Sequence, residues 1–310
     1  MDPTPAALQV FFTGLKNLWY QAYSMGEVWY NKVSTMVPSE TELETYGWMD
    51  RLPAMRQWVG PRQNNSVLTQ PRIVTNVDWE QTTSIPRNKF LDDKLNLFGP
   101  ISQEMGRQAK KLHDYQLASL LESNPVGFDG VTFFSTAHPT DTSGSIVSTT
   151  QSNDLQTLAL NASAYAQARA AMRNFQGRDG KPFGVLPSLM IVPPALEESA
   201  LQLRNAEFFA PQTFGNSATN VGATTNIWKN AFEILVVPEL TRPKVWYLFD
   251  ARGFVKPLLV QNRQAPMFVS LVNPNDPNVF WQKEYTWGAD SRSAYDVTIW
   301  FLAARFGIAL

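Results

Sequence analysis

Side chains able to do chemistry are scarce in this chain. It has 2 histidines and no cysteine in 310 residues, which excludes thiolate metal sites, cysteine nucleophiles and disulfides. His138 stands near Asp129 and Asp141, residue types that could hold a metal ion or move a proton. His113 lies in a separate helical stretch and no other histidine is available, so His138 is read as a structural residue beside Pro139. The carboxylate pairs Glu197-Glu198 and Asp92-Asp93 are sequence neighbours. Neighbours on a helix or strand do not face each other, so neither pair matches the acid–base couple of a polymer hydrolase. Gly177-Arg178-Asp179-Gly180-Lys181-Pro182 has glycines and a lysine. It lacks the four-residue gap and the hydroxyl residue after lysine that a phosphate loop needs. No catalytic residue, cofactor or metal ligand is expected.

Composition points away from catalysis as well. Charged residues are 17% of the chain, against roughly 25% in an ordinary soluble domain. Hydrophobic residues make up 44%, with 10 Trp and 19 Phe. Much surface is therefore expected to end up buried against something, such as other copies. The net charge of −1 supplies no basic field for nucleic acid or membrane. No signal peptide is visible, and no apolar run approaches the ~18 residues of a membrane span. The absence of cysteine fits assembly in a reducing cytoplasm.

The element that must organise the rest is a helix over residues 100–124. Ile101, Met105, Ala109, Leu112 and Tyr115 recur three and four apart, with Leu117, Leu120 and Leu121 beyond, an amphipathic stripe. Pro100 suits the first turn, and Asn124-Pro125 with Gly127 supplies a stop. Glu104 with Arg107 and Lys110 with Asp114 are spaced as surface pairs. At ~1.5 Å per residue this is a rod of roughly 35 Å.

Upstream, residues 1–35 suggest one or two short helices. They form either an arm docking on a neighbour or a terminal helix packed on its own core. Val37-Pro38-Ser39 then breaks the chain. Residues 46–89 read as two limbs of a long hairpin around Gln63-Asn64-Asn65-Ser66. In the second limb Ile73, Thr75, Val77 and Trp79 alternate with Arg72, Val74, Asn76, Asp78 and Glu80, a period of two. Prolines 53, 61, 71 and 86 confine these strands to edges. A two-stranded ribbon is marginal alone, so this one is expected to lean on another surface.

Downstream, Asp129-Gly130 marks a turn, followed by a Ser/Thr-rich surface loop to Asn153. A helix over 162–175, a strand over 187–192 and a helix over 195–205 follow. Residues 205–225 form an exposed loop of the kind that is usually functional or mobile. Strands are expected over 228–237, 244–249, 254–261, 265–271, 279–287 and 295–302, the last two joined by a turn at 288–293. No internal repeat is visible.

This order resembles the Hong Kong 97-type phage capsid fold, an α+β architecture with N-terminal arm, extended loop, spine helix, peripheral domain and axial domain. More specifically the chain is similar to the major head subunit of Mu-like phages, the T-protein family. The resemblance is carried by Val37-Pro38-Ser39, Glu44-Thr45-Tyr46-Gly47-Trp48, Arg56-Gln57-Trp58-Val59-Gly60 and Gln103-Glu104-Met105-Gly106-Arg107. Phe128-Asp129-Gly130, Phe133-Phe134-Ser135-Thr136-Ala137-His138-Pro139 and Met190-Ile191-Val192-Pro193-Pro194 extend it. It runs nearly the whole length and is weakest over the first 20 or so residues.

The resemblance implies an arm over 1–45, an extended β-hairpin loop over 46–89 and a peripheral domain over 90–160 containing the spine helix 100–124. It also implies a mainly axial domain over 161–260, with strands returning to the core over 261–310. Residues 205–225 would then face the capsomer centre. The implied function is a major capsid protein whose pentamers and hexamers close the icosahedral head of a tailed double-stranded DNA phage. Assembly is expected in the bacterial host cytoplasm, with the virion as destination. Implied partners are the protein itself, a portal, a separate scaffold and protease, an optional decoration protein and packaged DNA bound without sequence specificity; no membrane is involved. A start at Met1 carries the expectation that scaffolding comes from a separate chain. Candidates for contact between copies are Trp48, Arg56, Trp58, Arg62, Asn64, Asn65, Arg72, Trp79, Phe214 and Asn216. Pro38, Gly47, Gly60, Pro61 and Pro86 are candidate hinges. Lysines and asparagines such as Lys89, Asn64 and Asn65 carry no motif for an isopeptide weld, so none is expected. An encapsulin-like shell enclosing cargo enzymes is the alternative on the same fold, and a polymer hydrolase the remote one.

Overall fold

The computed structural model describes residues 5–49, 69–92, 98–140, 150–177, 180–209 and 224–307. Helix α1 (Pro5–Met25) is one continuous helix. It buries Leu8, Phe12, Leu15, Trp19 and Ala22, the three-and-four spacing of an amphipathic face. A short turn, α2 (Tyr30–Val33), leads into β1 (Ser34–Pro38). Strand β1 lies parallel to the first half of a later strand, so Val37-Pro38-Ser39 ends a strand where a simple break was expected. Strands β2 (Leu43–Met49) and β3 (Thr69–Thr75) pair antiparallel as the base of the expected hairpin. Strand β4 (Val77–Pro86) and the turn α3 (Arg87–Leu91) follow.

Between β3 and β4 the alternation changes phase. Val74 and Asn76 are buried, and from Trp79 to Ile85 the odd-numbered positions turn inward. The Asn76 N–H donates to the Glu42 carbonyl at 2.9 Å, outside either ladder. Residues 69–86 thus serve two sheets, with Asn76 as the joint.

The spine is α4 (Phe98–Ser123). Its buried face is Ser102, Met105, Gly106, His113, Asp114, Leu117, Ala118 and Leu121. Ile101 and Tyr115, expected inside, are 40% exposed each. Small residues explain the rotation. A Cβ on Gly106 would stand 2.4 Å from the Trp19 carbonyl oxygen, and the Ser102 Oγ donates to the Leu15 carbonyl at 2.8 Å. Close backbone approach of α1 decides which face is covered, and the bulkier apolar side chains on the flank stay outside. The expected Glu104–Arg107 surface pair is present at 2.8 Å. Asp114 is buried instead, and accepts from backbone across the chain.

After α4 come β5 (His138–Pro139), β6 (Thr150–Gln151), β7 (Asp154–Leu155) and α5 (Ala162–Arg173), the last capped by the Asn161 side chain. Strand β8 (Leu189–Val192) and α6 (Glu197–Asn205) form the expected strand–helix unit. Strands β9 (Phe208–Phe209) and β10 (Thr224–Thr225) pair across the base of the long loop. Strands β11 (Glu233–Val236) and β12 (Val245–Phe249) follow; β11 is shorter than the expected 228–237 because residues 227–230 form a turn.

Two sequence expectations are corrected at the C-terminal end. Strand β13 (Leu258–Leu271) is one strand where two were expected, and Phe254 lies outside it. Register irregularities between Asn262 and Met267 absorb Pro266, as bulges do. Strand β14 (Glu284–Val297) runs straight through 288–293, where a turn was expected. Glycine and serine there serve packing. A Cβ on Gly288 would stand 2.5 Å from the Gln81 carbonyl oxygen, Ser291 Oγ donates to the Gln264 carbonyl at 3.0 Å, and β14 is paired on both sides. A single-turn π-helix over Asn278–Gln282 replaces the start of the expected strand. Strand β15 (Ala303–Gly307) completes the chain.

One sheet has the order β1-β13-β14-β4, and a second has β11-β8-β12-β15-β7. Strands β8, β12 and β15 are buried at every position, as strands covered on both faces must be. The large core joins this second sheet to α5, α6 and Leu117, Ala118 and Leu121 of α4. A smaller core joins α1 and Met105 of α4 to Phe268, Tyr285 and Trp287 of the first sheet. One helix therefore lends each half to a different core.

Candidate assembly surfaces

The hairpin leaves the body through a root of interlocked polar groups. Glu44 Oε1 accepts from the Glu40 N–H at 2.9 Å, Ser39 Oγ at 2.9 Å and Thr41 Oγ1 at 3.0 Å. The Glu40 backbone bond, then the hydroxyls, hold its carboxyl down to about 2. Asn76 Nδ2 donates to Ser39 Oγ at 2.8 Å and to the Thr41 carbonyl at 2.9 Å. Gln261 Nε2 donates to Asn76 Oδ1 at 2.8 Å, and Tyr46 OH donates to Gln261 Oε1 at 2.8 Å. Val74 packs with Leu259 and Ala294 below. A buried polar network satisfied in this way fixes one geometry. Pro38, a candidate hinge, borders this clamp, and Gly47 pairs with Pro71 within the hairpin ladder. Pro86 ends β4 opposite Glu284; Gly60 and Pro61 lie outside the described residues.

Arg72 and Trp79 line one groove of about 390 Å³ between the hairpin root and α4, with Gln116, Leu120 and Tyr295. The Arg72 guanidinium is bidentate on Asp296, at 2.6 and 2.8 Å. Trp79 Nε1 donates to the Ser293 carbonyl at 3.1 Å, and its ring meets Tyr295 edge-on at 5.9 Å. Both candidates are thus oriented from within the chain. Trp48 lies in β2 opposite Gln70, with its side chain outside the described residues. Arg56, Trp58, Arg62, Asn64, Asn65, Phe214 and Asn216 also lie outside them.

Behind Tyr295, its hydroxyl sits 2.8 Å from His113 Nδ1. Burial, then the charge of Lys110, pushes the His113 imidazole down to about 4. Burial pushes the neighbouring Asp114 carboxyl up to about 6, although it accepts from the N–H groups of Tyr30 and Trp29 at 2.8 and 3.2 Å. This pair ties the segment after α1 to the spine. His138 is fully buried. Its Nδ1 lies 2.6 Å from Asp129 Oδ2, its Nε2 lies 3.0 Å from Asn153 Oδ1, and its ring stacks on Trp300 at 4.2 Å. The histidine is engaged on both nitrogens and one face. Among the described residues no cluster of three or more metal-ligating side chains occurs, and no helix is long and apolar enough to cross a membrane.

The sequence reading missed the most exposed aromatic side chains among the described residues. Phe254 is 93% exposed, Trp281 79% and Phe280 67%. Each sits at a bend between strands, where periodicity gives no signal.

A family model described as Mu-like prophage major head subunit gpT matches residues 8–159, 154–240 and 241–308. The major capsid protein of Escherichia phage Mu is 27% identical over 310 residues, covering 98% of this chain and 74% of that one. The Mu-like prophage FluMu major head subunit of Haemophilus influenzae is 22% identical, covering 97% and 73%. Among solved structures, a chain of the procapsid of bacteriophage JBD30 is similar with a TM-score of 0.59 and 26% identity, over 99% of this chain and 77% of that one.

Proposed function

Because this chain belongs to the Mu-like prophage major head subunit family, and is a major capsid protein of the Hong Kong 97-type fold, we propose that its copies form the pentamers and hexamers of an icosahedral head around double-stranded DNA. The observation that carries this reading is the family match from residue 8 to 308, joined to a procapsid likeness over 99% of the chain. The clamped hairpin root and the two-core spine support it. A two-stranded pair with Leu43 46% and Ile73 61% exposed is the kind of ribbon that leans on a further surface. Many modest contacts per copy add up in a closed shell.

In this reading residues 1–45 are the arm, 46–89 the extended loop and 90–160 the peripheral domain with its spine. Residues 161–260 are mainly axial, with 205–225 at the capsomer centre, and 261–310 return to the core. The candidates from Trp48 to Asn216 are contacts between copies. DNA is confined without being read: the net charge of −1 provides no excess of cations for phosphate contacts. A portal, a separate scaffold and protease, and a decoration protein complete the set of partners, and assembly takes place in the host cytoplasm. The work is mechanical, without catalysis. A nanocompartment shell could use this fold too, but the family match sets the chain among head subunits.

Negative-stain microscopy of the protein expressed alone, and with a scaffold, is the test. Closed shells or rings of five and six subunits support the reading. A chain that stays monomeric when concentrated, with and without scaffold, overturns it. Particles filled with protein cargo and free of nucleic acid would point to the nanocompartment.

A further inference from the structure

Two features without charged side chains among the described residues lie close together in the fold. The first is a rigid aromatic knob on the connection between β13 and β14. Phe280 and Trp281 are 67% and 79% exposed and meet each other edge-on at 5.0 Å. Their exposure does not come from a loose loop. Asn278 Nδ2 lies 3.0 Å from the Leu271 carbonyl, 2.9 Å from the Glu284 carbonyl and 3.1 Å from Thr286 Oγ1. The Arg87 N–H donates to the Lys283 carbonyl at 2.7 Å, and Lys283 itself is left-handed at φ 54°. Two large apolar rings held out in water by a hydrogen-bonded framework are pre-organised for contact.

The second feature is a groove of about 490 Å³ where α1 crosses the start of α4, lined by Val10, Phe11, Gly14, Leu15, Leu18 and Phe98 among others. Val10 is 73% exposed. A Cβ on Gly14 would meet nothing within 4 Å, so the helix carries an open notch there. Among the described residues no charged side chain lines the groove, and none lies within Asn278–Gln282. Knob and groove are close in the fold: Val279, one residue before the knob, packs into the same small core as Phe11 and Phe98.

We propose that the Phe280–Trp281 knob of one copy seats in the α1–α4 groove of a second copy. The inference rests on the capsid reading and names one contact within it. Two aromatic side chains bury ~150–250 Å² each. One knob therefore contributes on the order of 300–500 Å², well short of the ~1,200 Å² of an independent interface. The contact forms only where other contacts already hold the copies together, as in a shell.

A chain without cysteine allows a clean test. Asn17, which also lines the groove, and Trp281 are changed to cysteine (Asn17→Cys, Trp281→Cys) in separate chains, co-expressed, and shells are purified and exposed to mild oxidant. A disulfide requires Cα atoms within about 7 Å, so a mixed dimer on a non-reducing gel, absent when either variant is assembled alone, is the expected result. Shells that yield no mixed dimer overturn the proposal while leaving the capsid reading intact. Cross-linking of Trp281→Cys with itself overturns it in favour of knob against knob. Wild-type protein that never forms shells is instead a failure of the capsid reading. Should Trp281→Cys block assembly, Gln282→Cys takes its place in the same experiment. Independently, the double variant Phe280→Ala/Trp281→Ala is expected to keep the far-ultraviolet spectrum and lower shell yield about tenfold or more; unchanged yield overturns the proposal.

Discussion

Asp114 shows how a charge can sit badly in a site that nonetheless needs an acceptor. Its carboxyl is 1% exposed and is pushed up to about 6 by burial. An acid raised above its unfolded value adds stability through its proton below the unfolded value, and that stability is lost as pH rises through about 6. Asp114→Asn keeps an acceptor for the Tyr30 and Trp29 N–H groups without the charge. The variant is expected to match the wild type below about pH 4, to gain on it as pH rises toward 6, and to melt about 2–5 °C higher at pH 8. His113, held down to about 4, loses stability as pH falls from its unfolded value toward 4. It does so in both proteins, so the difference between melting curves isolates Asp114. A variant that melts lower at every pH would show that the charge itself is needed. Arg72 presents the opposite case. Removing it by Arg72→Ala leaves Asp296, with a side chain 8% exposed, facing no cation. The expected loss is about 2–3 kcal/mol, below the ~3–5 of a fully buried pair because Arg72 is itself 26% exposed. Denaturant titration checks it; a loss under about 0.5 kcal/mol would mean solvent replaces the guanidinium.

At the scale of elements, small residues rather than large ones chose the packing of α1 on α4. Ala is a better helix former than Gly by ~1 kcal/mol, which alone would make Gly106→Ala stabilising. The added Cβ would meet the Trp19 carbonyl oxygen at 2.4 Å, and backbone on backbone cannot yield cheaply. Overpacking costs typically ~1–3 kcal/mol, so Gly106→Ala is expected to destabilise by about 1–2 kcal/mol net. Gly14→Ala, into open space, is expected to stabilise by about 0.5–1 kcal/mol. Chemical denaturation of the pair decides, and equal effects would refute the close-approach argument. The same physics marks where sequence reading fell short. The helix at 162–175 and the strand at 187–192 were legible because their spacing matches their burial, whereas for 100–124 the helix was legible but its buried face was not, Ile101 and Tyr115 lying outside it. The turn expected at 288–293 was not, because Gly288 and Ser291 there answer to neighbouring strands. The hairpin root was equally hidden: Tyr46, Asn76 and Gln261 lie 185 to 215 residues apart across their bonds, a separation no local pattern encodes.

Over the whole molecule, the order helix, strands, spine helix and sheets was legible, while the exposed aromatic side chains were not, since exposed positions obey no periodicity. The fold does separate two jobs. Stability resides in the two apolar cores bridged by α4, and the seating of the β2–β3 pair on the first sheet resides in the polar clamp of Ser39, Glu44, Asn76 and Gln261. That separation makes assembly and folding independently breakable. Asn76→Ala/Gln261→Ala removes the clamp's centre without opening either core. Its unfolding midpoint is expected to fall by no more than a few degrees. Its shells are expected to be fewer and irregular, because a ribbon free to swing forms the wrong contact as readily as the right one. Sedimentation and microscopy of the variant beside the wild type measure this. Normal shells in normal yield would mean that neighbouring copies, rather than the root, direct the hairpin. A collapse of the melting transition would mean that the clamp belongs to the folding core after all.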